Sequence, residues 1–254
     1  SEEIPWDPYF QSDPQYHLEG VRDSLRRAAV HLPRVDAIGG SAAGIYVNSE
    51  VRVSSLFRGV PPLLFEQHIR RMFRTLQREW SAVPFEVYND GEVTALAGAR
   101  ALQSDVVLGL SFGTSQAAGY ITRAGGLTSW LNELAFAPVD YRPDGPRDEW
   151  SGDVGCGVQY FSQQGVARLS QRAGLRFAQG TPNAEKLASI QSLMDQGYPR
   201  AHEIFSTLGV CLGYALAHYA EHYDIRHVLF LGRVTSGRGG DELLGSARKL
   251  LEEV

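Results

Sequence analysis

The chain has 254 residues, a formal net charge of −5, a hydrophobic content of 43% and a charged content of 21%. This length suits one large domain or two small ones, and the composition is that of a globular protein. The net negative charge does not indicate a basic surface for nucleic acid. The longest apolar stretches are far too short to span a membrane. Because two cysteines make no disulfide framework, we expect a reducing, cytoplasmic location.

The N-terminal half alternates between helical and extended patterns. Apolar spacing predicts a helix over 17–32, and the next segment, VDAIGGSAAGIYV, predicts a strand that breaks near Gly39-Gly40 and resumes after Gly44. A proline-entered amphipathic helix is predicted for PPLLFEQHIRRMFRTLQREW, and a strand for PFEVYND. An alanine-rich helix is predicted over 92–102.

The C-terminal half continues the alternation. The pattern predicts a strand over 106–111, a long helix over 201–223 and a strand at HVLFLG, followed by a glycine-rich turn, RVTSGRGG, and a short helix capped by Asp241. Proline, glycine and aspartate crowd the stretch APVDYRPDGPRDEWSGDVGCG, which predicts a long loop rather than a domain linker. The alternation as a whole indicates an α/β architecture.

A serine in the second half has the spacing of a hydrolase nucleophile. The run from Gly109 to Gly113, with Ser111 at its centre, matches the G-x-S-x-G elbow, and Asp224 and His227 follow in the chain order of a triad. An elbow requires a helix directly after the serine, whereas the sequence continues GTSQAAGYITRAGG, which is typical of a returning strand. The sequence therefore favours a hairpin, whose turn is either a simple tight turn or a row of N–H groups for a phosphate.

A second motif places Asn89-Asp90 at the end of a strand and directly before a helix, in VYNDGEVTALAGA. A carboxylate in that position can accept a proton from a hydroxyl group while the neighbouring amide holds an adjacent hydroxyl, which is a general-base geometry. The alternative is that Asp90 only caps the helix. The motif alone leaves both interpretations open.

Five segments, in this order, resemble the ROK family of sugar kinases and repressors, which belongs to the hexokinase, actin and Hsp70 fold group. They are VDAIGGSAAGIYVNSEVRVSSLF, VYNDGEVTALAGA, LSFGTSQAAGYI, LNELAFAPVDY and AHEIFSTLGVCLGYALAHYAEHYDIRHVLFLG. The resemblance implies a two-lobed α/β protein with the actin-like ATPase (ribonuclease H-like) fold, with lobes at 1–103 and 104–254. It also implies phosphorylation of a hexose or related sugar by ATP with Mg²⁺.

The resemblance assigns roles to residues. It implies Asp90 as the catalytic base, a sugar site formed by Asn89, Glu133 and Gly44, and nucleotide contacts from Gly113, Thr114, Gly232 and Gly237. The segment LGRVTSGRGGDEL lacks the Gly-Lys-Ser/Thr of a Walker A motif, so an adenosine-side loop and a flexible surface loop stay open as alternatives. The expected partner is a sugar, with neither nucleic acid nor membrane, and a homodimer is one option for assembly.

The chain also departs from the family pattern. Phe136 stands where the family has a zinc-binding histidine, and WSGDVGCGV keeps only Cys156 of three cysteines, so no structural zinc is expected. The sugar-binding glutamate of the family falls on Val158. The N-terminal Asp-Xaa-Gly-Gly-Thr turn has no counterpart, so we expect a fragment or a natural loss, with little kinase activity in this chain. A non-catalytic sugar-binding or regulatory module is the alternative function.

The segment HYAEH, from His218 to His222, fits the H-x-x-E-H pattern of one metallopeptidase class. The spacing places two imidazoles on one helix face. However, no third ligand stands out in the sequence, and the C-terminal end of a helix favours histidine through the helix dipole. The sequence therefore predicts surface or capping histidines rather than a metal site.

Overall fold

A computed structural model describes residues 8–80, 83–128 and 132–254. The chain divides into two compact units, residues 1–93 and residues 94–254. The division falls inside one helix, α4 (Asp90–Leu102). The two functional lobes expected at 1–103 and 104–254 stay a prediction.

The first unit is a mixed α/β body with a single apolar core. β1 pairs in parallel with β4, and β2 pairs antiparallel with β3. The core is formed by apolar side chains of β3, β4, α3 and the segments between them. In chain order the elements are α1 (Pro14–Ala29), β1 (Ile38–Ala42), β2 (Ile45–Val47), β3 (Glu50–Val53), α2 (Pro62–Leu64), a π-helical turn (Phe65–Ile69), α3 (Met72–Glu79) and β4 (Phe85–Asn89).

Several boundaries in this unit differ from the sequence prediction. α1 begins and ends three residues earlier than predicted, because Asp13 accepts the N–H of Gln15 at 2.9 Å and so caps the helix just before Pro14. The expected break at Gly39-Gly40 is wrong, since both glycines lie inside β1. A Cβ on Gly40 would approach Val87 of β4 to 3.0 Å, so this glycine lets the paired strand fit beside a branched side chain.

The second unit is built on a three-stranded sheet in the order β6-β5-β7. β5 (Val107–Phe112) runs antiparallel to β6 (Gln116–Ile121) and parallel to β7 (His227–Leu231). The predicted hairpin after Ser111 is therefore confirmed, and the helix that a nucleophile elbow needs is not there. Four helices pack with the sheet: α5 (Gln163–Arg172), α6 (Asn183–Asp195), α7 (Pro199–Ala220) and α8 (Gly237–Glu253).

The glycine-rich stretch after β7 folds differently from the prediction. Asp241 does not cap the last helix, because α8 begins four residues earlier, at Gly237. A side chain on Gly239 would overlap the Phe205 ring, and one on Gly240 would overlap the Thr235 carbonyl group. These glycines thus allow a closely packed helix start, whereas in the sequence they are typical of a turn.

The long loop predicted between the hairpin and α5 is confirmed. Residues 138–155 form no helix, and isolated bridges join Pro138 to Cys156 and Arg147 to Val154. Within the described ranges, no helix combines the length and the apolar character that a membrane crossing requires.

Candidate functional site

At the end of β4 the strand continues directly into α4, with Asn89 last in the strand and Asp90 first in the helix. The Oδ1 atom of Asn89 accepts the N–H of Gly91 at 2.8 Å, and its Nδ2 atom donates to the Gly44 carbonyl oxygen at 2.7 Å. The side chain of Asn89 therefore caps α4 and also holds the loop that precedes β2.

The Asp90 side chain is exposed at the start of α4. Its Oδ1 atom also accepts the Gly91 N–H, at the longer distance of 3.1 Å. Asn89 makes the shorter contact with this N–H, so it is the main cap of α4 and Asp90 is a second acceptor. The carboxylate is positioned by the strand and stays accessible, and its role as a base stays a prediction.

Gly44 lies in the loop between β1 and β2, where the backbone has a φ of 127°. A Cβ at this position would overlap the Val53 carbonyl oxygen and the Ser54 side chain. Only glycine fits this conformation, and it allows the Gly44 carbonyl group to reach the amide of Asn89. The link between Gly44 and Asn89 supports a shared site, whereas sugar binding by Gly44 stays a prediction.

No motif in the sequence singles out Tyr46, yet this residue belongs to the same region. Its hydroxyl group donates to the Ala43 carbonyl oxygen at 3.0 Å, and the Ser54 hydroxyl donates to the same oxygen at 2.6 Å. The pKa of Tyr46 is raised to about 12. Burial is the main cause, the contact with Ser54 opposes the rise, and the negative charge of Asp90 adds to it. Tyr46 is therefore neutral near pH 7 and lies within electrostatic range of Asp90.

The turn between β5 and β6 spans residues 113–115. The Gly113 N–H donates to the Ser115 carbonyl oxygen at 2.9 Å, and the Gly113 carbonyl accepts the N–H of Gln163 at the same distance. Among the described residues, the backbone N–H groups of Thr114 and Ser115 meet no acceptor, and both residues are exposed. An anion at this turn would therefore be bound through Thr114 and Ser115 rather than through the Gly113 amide.

Gly232 follows β7, which runs parallel to β5, so the turns after these two strands leave the sheet at the same edge. Its φ is 95°, and a Cβ there would overlap the backbone of Phe112. Gly232 is thus required for the two turns to lie side by side. In open sheets with parallel strands, ligands bind at this carboxyl edge.

The segment after Gly232 is braced rather than open. The Nε2 atom of Gln191 on α6 donates to the carbonyl oxygens of Ser236 at 3.0 Å and Arg233 at 3.4 Å, and its Oε1 atom accepts the N–H of Gly239 at 3.2 Å. Of the groups that the structure describes at the start of α8, the N–H of Gly237 has no acceptor. A helix start with free N–H groups favours an anionic ligand. The nucleotide role of Gly232 and Gly237 stays a prediction.

Glu133 belongs to the second unit, where it is half-buried and directly precedes a 3-10 helix, Leu134–Phe136. Its buried neighbour Asn132 donates to the Thr128 hydroxyl at 2.9 Å and accepts the Tyr223 hydroxyl at 3.2 Å. These two hydrogen bonds hold Asn132, the residue next to Glu133, in place. The role of Glu133 as a sugar ligand stays a prediction.

The donors of the family-type zinc motif do not fit the metal. The Phe136 ring lies 5.3 Å from that of Trp150 and packs against the buried cluster that contains Cys156 and Val158. Burial, and then the charge of Asp148, raise the pKa of the Cys156 thiol, which disfavours the thiolate that zinc requires. One thiol with an aromatic neighbour gives no zinc coordination sphere, and apolar packing surrounds Phe136 instead.

No protein-family model matches the sequence, and a search of curated proteins finds no match. Solved structures do match. A ROK family transcriptional regulator homologous to the E. coli MLC protein superposes with a TM-score of 0.74 at 19% identity, over 94% of this chain and 60% of its own. The ROK hexokinase from Thermus thermophilus superposes with a TM-score of 0.68 at 21% identity, over 94% of this chain and 76% of its own. The ROK family glucokinase from Streptomyces griseus, solved with glucose and AMPPNP, superposes with a TM-score of 0.67 at 22% identity. The match covers 94% of this chain and 80% of the glucokinase.

These matches show that the chain shares its fold, the actin-like ATPase fold, with ROK family structures at low sequence identity. The predicted fold class and the resemblance on which it was based are confirmed. The chain spans 60% of the length of the regulator. The activities of these full-length proteins can therefore be assigned to this chain only as a proposal.

Proposed function

We propose that the protein phosphorylates a hydroxyl group of a hexose or related sugar with ATP, and that Asp90 is the general base. The observation that carries the proposal is the junction of β4 and α4. Asn89 caps the helix and leaves the Asp90 carboxylate exposed at a rigid strand end. A base must be accessible and must be held in place, and this carboxylate meets both conditions.

In the proposed reaction, the sugar hydroxyl gives its proton to Asp90 as its oxygen attacks the γ-phosphorus atom of ATP. The bond between that phosphorus and the bridging oxygen of ADP breaks as the new bond forms. Tyr46 is neutral, because its pKa of about 12 is well above neutral pH, so it adds no charge beside the base. Asn89 has a second amide hydrogen that can hold an adjacent hydroxyl group of the sugar.

The second unit would bind the phosphates. The free N–H groups of Thr114 and Ser115 are donors for phosphate oxygens, and Gly232, which has no side chain, lies against the backbone of Phe112 just before that turn. Mg²⁺ bound with the nucleotide would neutralise charge on the same oxygens. Glu133 would hold a sugar hydroxyl.

A second candidate is sugar binding without phosphoryl transfer. One of the matching structures is a transcriptional regulator, and it has the highest TM-score of the three described above. The structural likeness therefore supports a sensor as well as a kinase. The two candidates share the sugar site and differ in the transfer of phosphate.

Calorimetric titration with a panel of hexoses, and a coupled assay of ADP release with ATP and each hexose, would separate these functions. Binding with sugar-dependent ADP release would support the kinase, and binding alone would support the sensor. The same measurements on the chain extended upstream would show whether further sequence is needed for transfer. If neither chain bound any sugar or ATP, both candidates would be overturned.

A further inference from the structure

The C-terminal end of α7 brings together His218, Glu221 and His222. In the part of the chain that the structure describes, they are the one group of three histidine, cysteine or acidic residues whose ligand atoms all lie within 4.8 Å of one another. The two imidazole rings are 5.1 Å apart between centroids and nearly perpendicular, at 87°. The third ligand that did not stand out in the sequence is thus the glutamate of the same motif.

We infer that these three side chains form a binding site for a divalent transition-metal ion, with Zn²⁺ as the representative. Two imidazole nitrogens and one carboxylate oxygen are a common zinc donor set, and they leave a fourth position for water. In a tetrahedral site with bonds of about 2.1 Å, ligand atoms lie roughly 3.4 Å apart. Exposed Glu221 and His222 can rotate to close the remaining gap.

The backbone beneath the three residues is already held. Tyr219 is 2% exposed, and its carbonyl oxygen accepts the N–H groups of His222 at 3.0 Å and Tyr223 at 2.9 Å. Because the end of α7 is fixed by this buried side chain, a metal would order side chains but would not have to fold the backbone. The negative end of the helix dipole also lies here, and it favours a cation.

The inferred site is separate from the zinc motif of the family. That motif falls on Phe136 and Cys156, whose surroundings are apolar and whose donors do not fit a metal. The inferred site uses none of the residues proposed for sugar or nucleotide binding. Its test is therefore independent of the proposed function.

The test is a calorimetric titration of Zn²⁺ into protein that has no polyhistidine tag and from which metal has been removed by a chelator. We expect one Zn²⁺ per chain. The single substitutions His218→Ala, His222→Ala and Glu221→Gln should each weaken binding by at least about tenfold, since even the loss of a residue behind a metal ligand costs that much. His218→Ala/His222→Ala should abolish it.

The matched control is His31→Ala/His68→Ala, which removes two exposed histidines that are outside this cluster. It should bind Zn²⁺ as the wild type does. Circular dichroism would establish that every variant retains its helices. Absence of binding by the wild type would overturn the inference, as would undiminished binding by the variant that lacks His218 and His222.

Discussion

The β4–α4 junction and the β5–β6 turn both follow strands that are buried in part, yet they leave different groups exposed. At the junction, the chain enters a helix at once, and Asn89 uses both ends of its amide to fix the local backbone. What is left is a carboxylate, Asp90. At the turn, the chain reverses, Gly113 uses its own N–H and carbonyl group, and the N–H groups of Thr114 and Ser115 are left. One region can accept a proton, and the other can stabilise negative charge.

The largest expected effect is on the junction. Asp90→Asn should lower sugar-dependent turnover by about 10²–10⁴, because it removes the proton acceptor but keeps the size of the side chain. Sugar affinity, measured by calorimetry, should change little, because amide and carboxylate occupy the same space. Steady-state kinetics with the sugar that binds best would measure the effect, on the chain extended upstream if this chain alone shows too little turnover.

The matched control is Glu92→Gln, which neutralises another carboxylate in the first turn of α4. If loss of negative charge at the helix start were the cause, both substitutions would lower turnover equally. We expect only Asp90→Asn to do so. Equal turnover in Asp90→Asn and in the wild type would remove the base from the proposal.

The next effect concerns the turns of the second unit. Gly232→Ala should lower the free energy of unfolding by about 2–4 kcal/mol, because φ is positive and a Cβ would overlap the Phe112 backbone. Gly113→Ala should stay within about 0.5 kcal/mol, since the nearest atom to its Cβ would be 3.9 Å away. Urea unfolding followed by circular dichroism would measure both. Equal stability of the two variants would mean that the close approach at Gly232 is not needed.

Asn89→Ala tests whether Asn89, rather than Asp90, caps α4. It should cost about 1–2 kcal/mol, because the helix loses its cap and the Gly44 carbonyl loses its donor. Asp90→Ala should cost only about 0.5 kcal/mol, as expected for loss of a charge near a helix start. Urea unfolding of both variants gives the comparison. A larger loss for Asp90→Ala than for Asn89→Ala would mean that Asp90 is the main cap of α4.

The sequence predicted that a helix follows β4, but not which of two adjacent polar residues caps that helix, α4. Either Asn89 or Asp90 suits the cap position by residue type, and the choice depends on where the strand ends. The partner that decides it is the Gly44 carbonyl, which is distant in sequence and is brought close by the pairing of β1 with β4. The site was predictable as a motif, whereas its internal hydrogen bonds were not.

The clearest errors in the secondary structure predicted from the sequence lie at glycine residues. In the sequence, Gly39-Gly40 and the glycines around Arg238 are typical of breaks and turns. In the structure they lie in β1 and at the start of α8, where close neighbours crowd a Cβ at Gly40, Gly239 and Gly240. Local propensity cannot distinguish a glycine that bends the chain from one that permits close packing, because the neighbour is supplied by the tertiary fold. α5 and α6 were not predicted at all.

A smaller effect is expected where apolar packing stands in place of the family's zinc. Phe136→Ala should lower the free energy of unfolding by about 1–2 kcal/mol, through loss of the contact with Trp150 and of partly buried apolar area. Phe136→Leu is the control and should recover about half of the loss. Elemental analysis of the variant that lacks His218 and His222 should find no zinc. One zinc per chain in that variant would place a metal in this loop.

The smallest expected effect is that of Ser111→Ala. Ser111 lies on β5, between Ala117 of β6 and Leu231 of β7, and it is followed by a returning strand. In the G-x-S-x-G elbow the serine stands on a sharp turn before a helix, and Ser111 stands on a strand, so the elbow role is not expected here. Turnover of ATP and stability to urea should both stay within error of the wild type, to about 0.5 kcal/mol. Hydrolysis of p-nitrophenyl acetate provides the opposing measurement, because a serine hydrolase would lose several powers of ten in rate with this substitution. An esterase activity that disappeared in Ser111→Ala, with the fold intact, would mean that Ser111 on β5 is a nucleophile and would contradict the kinase proposal.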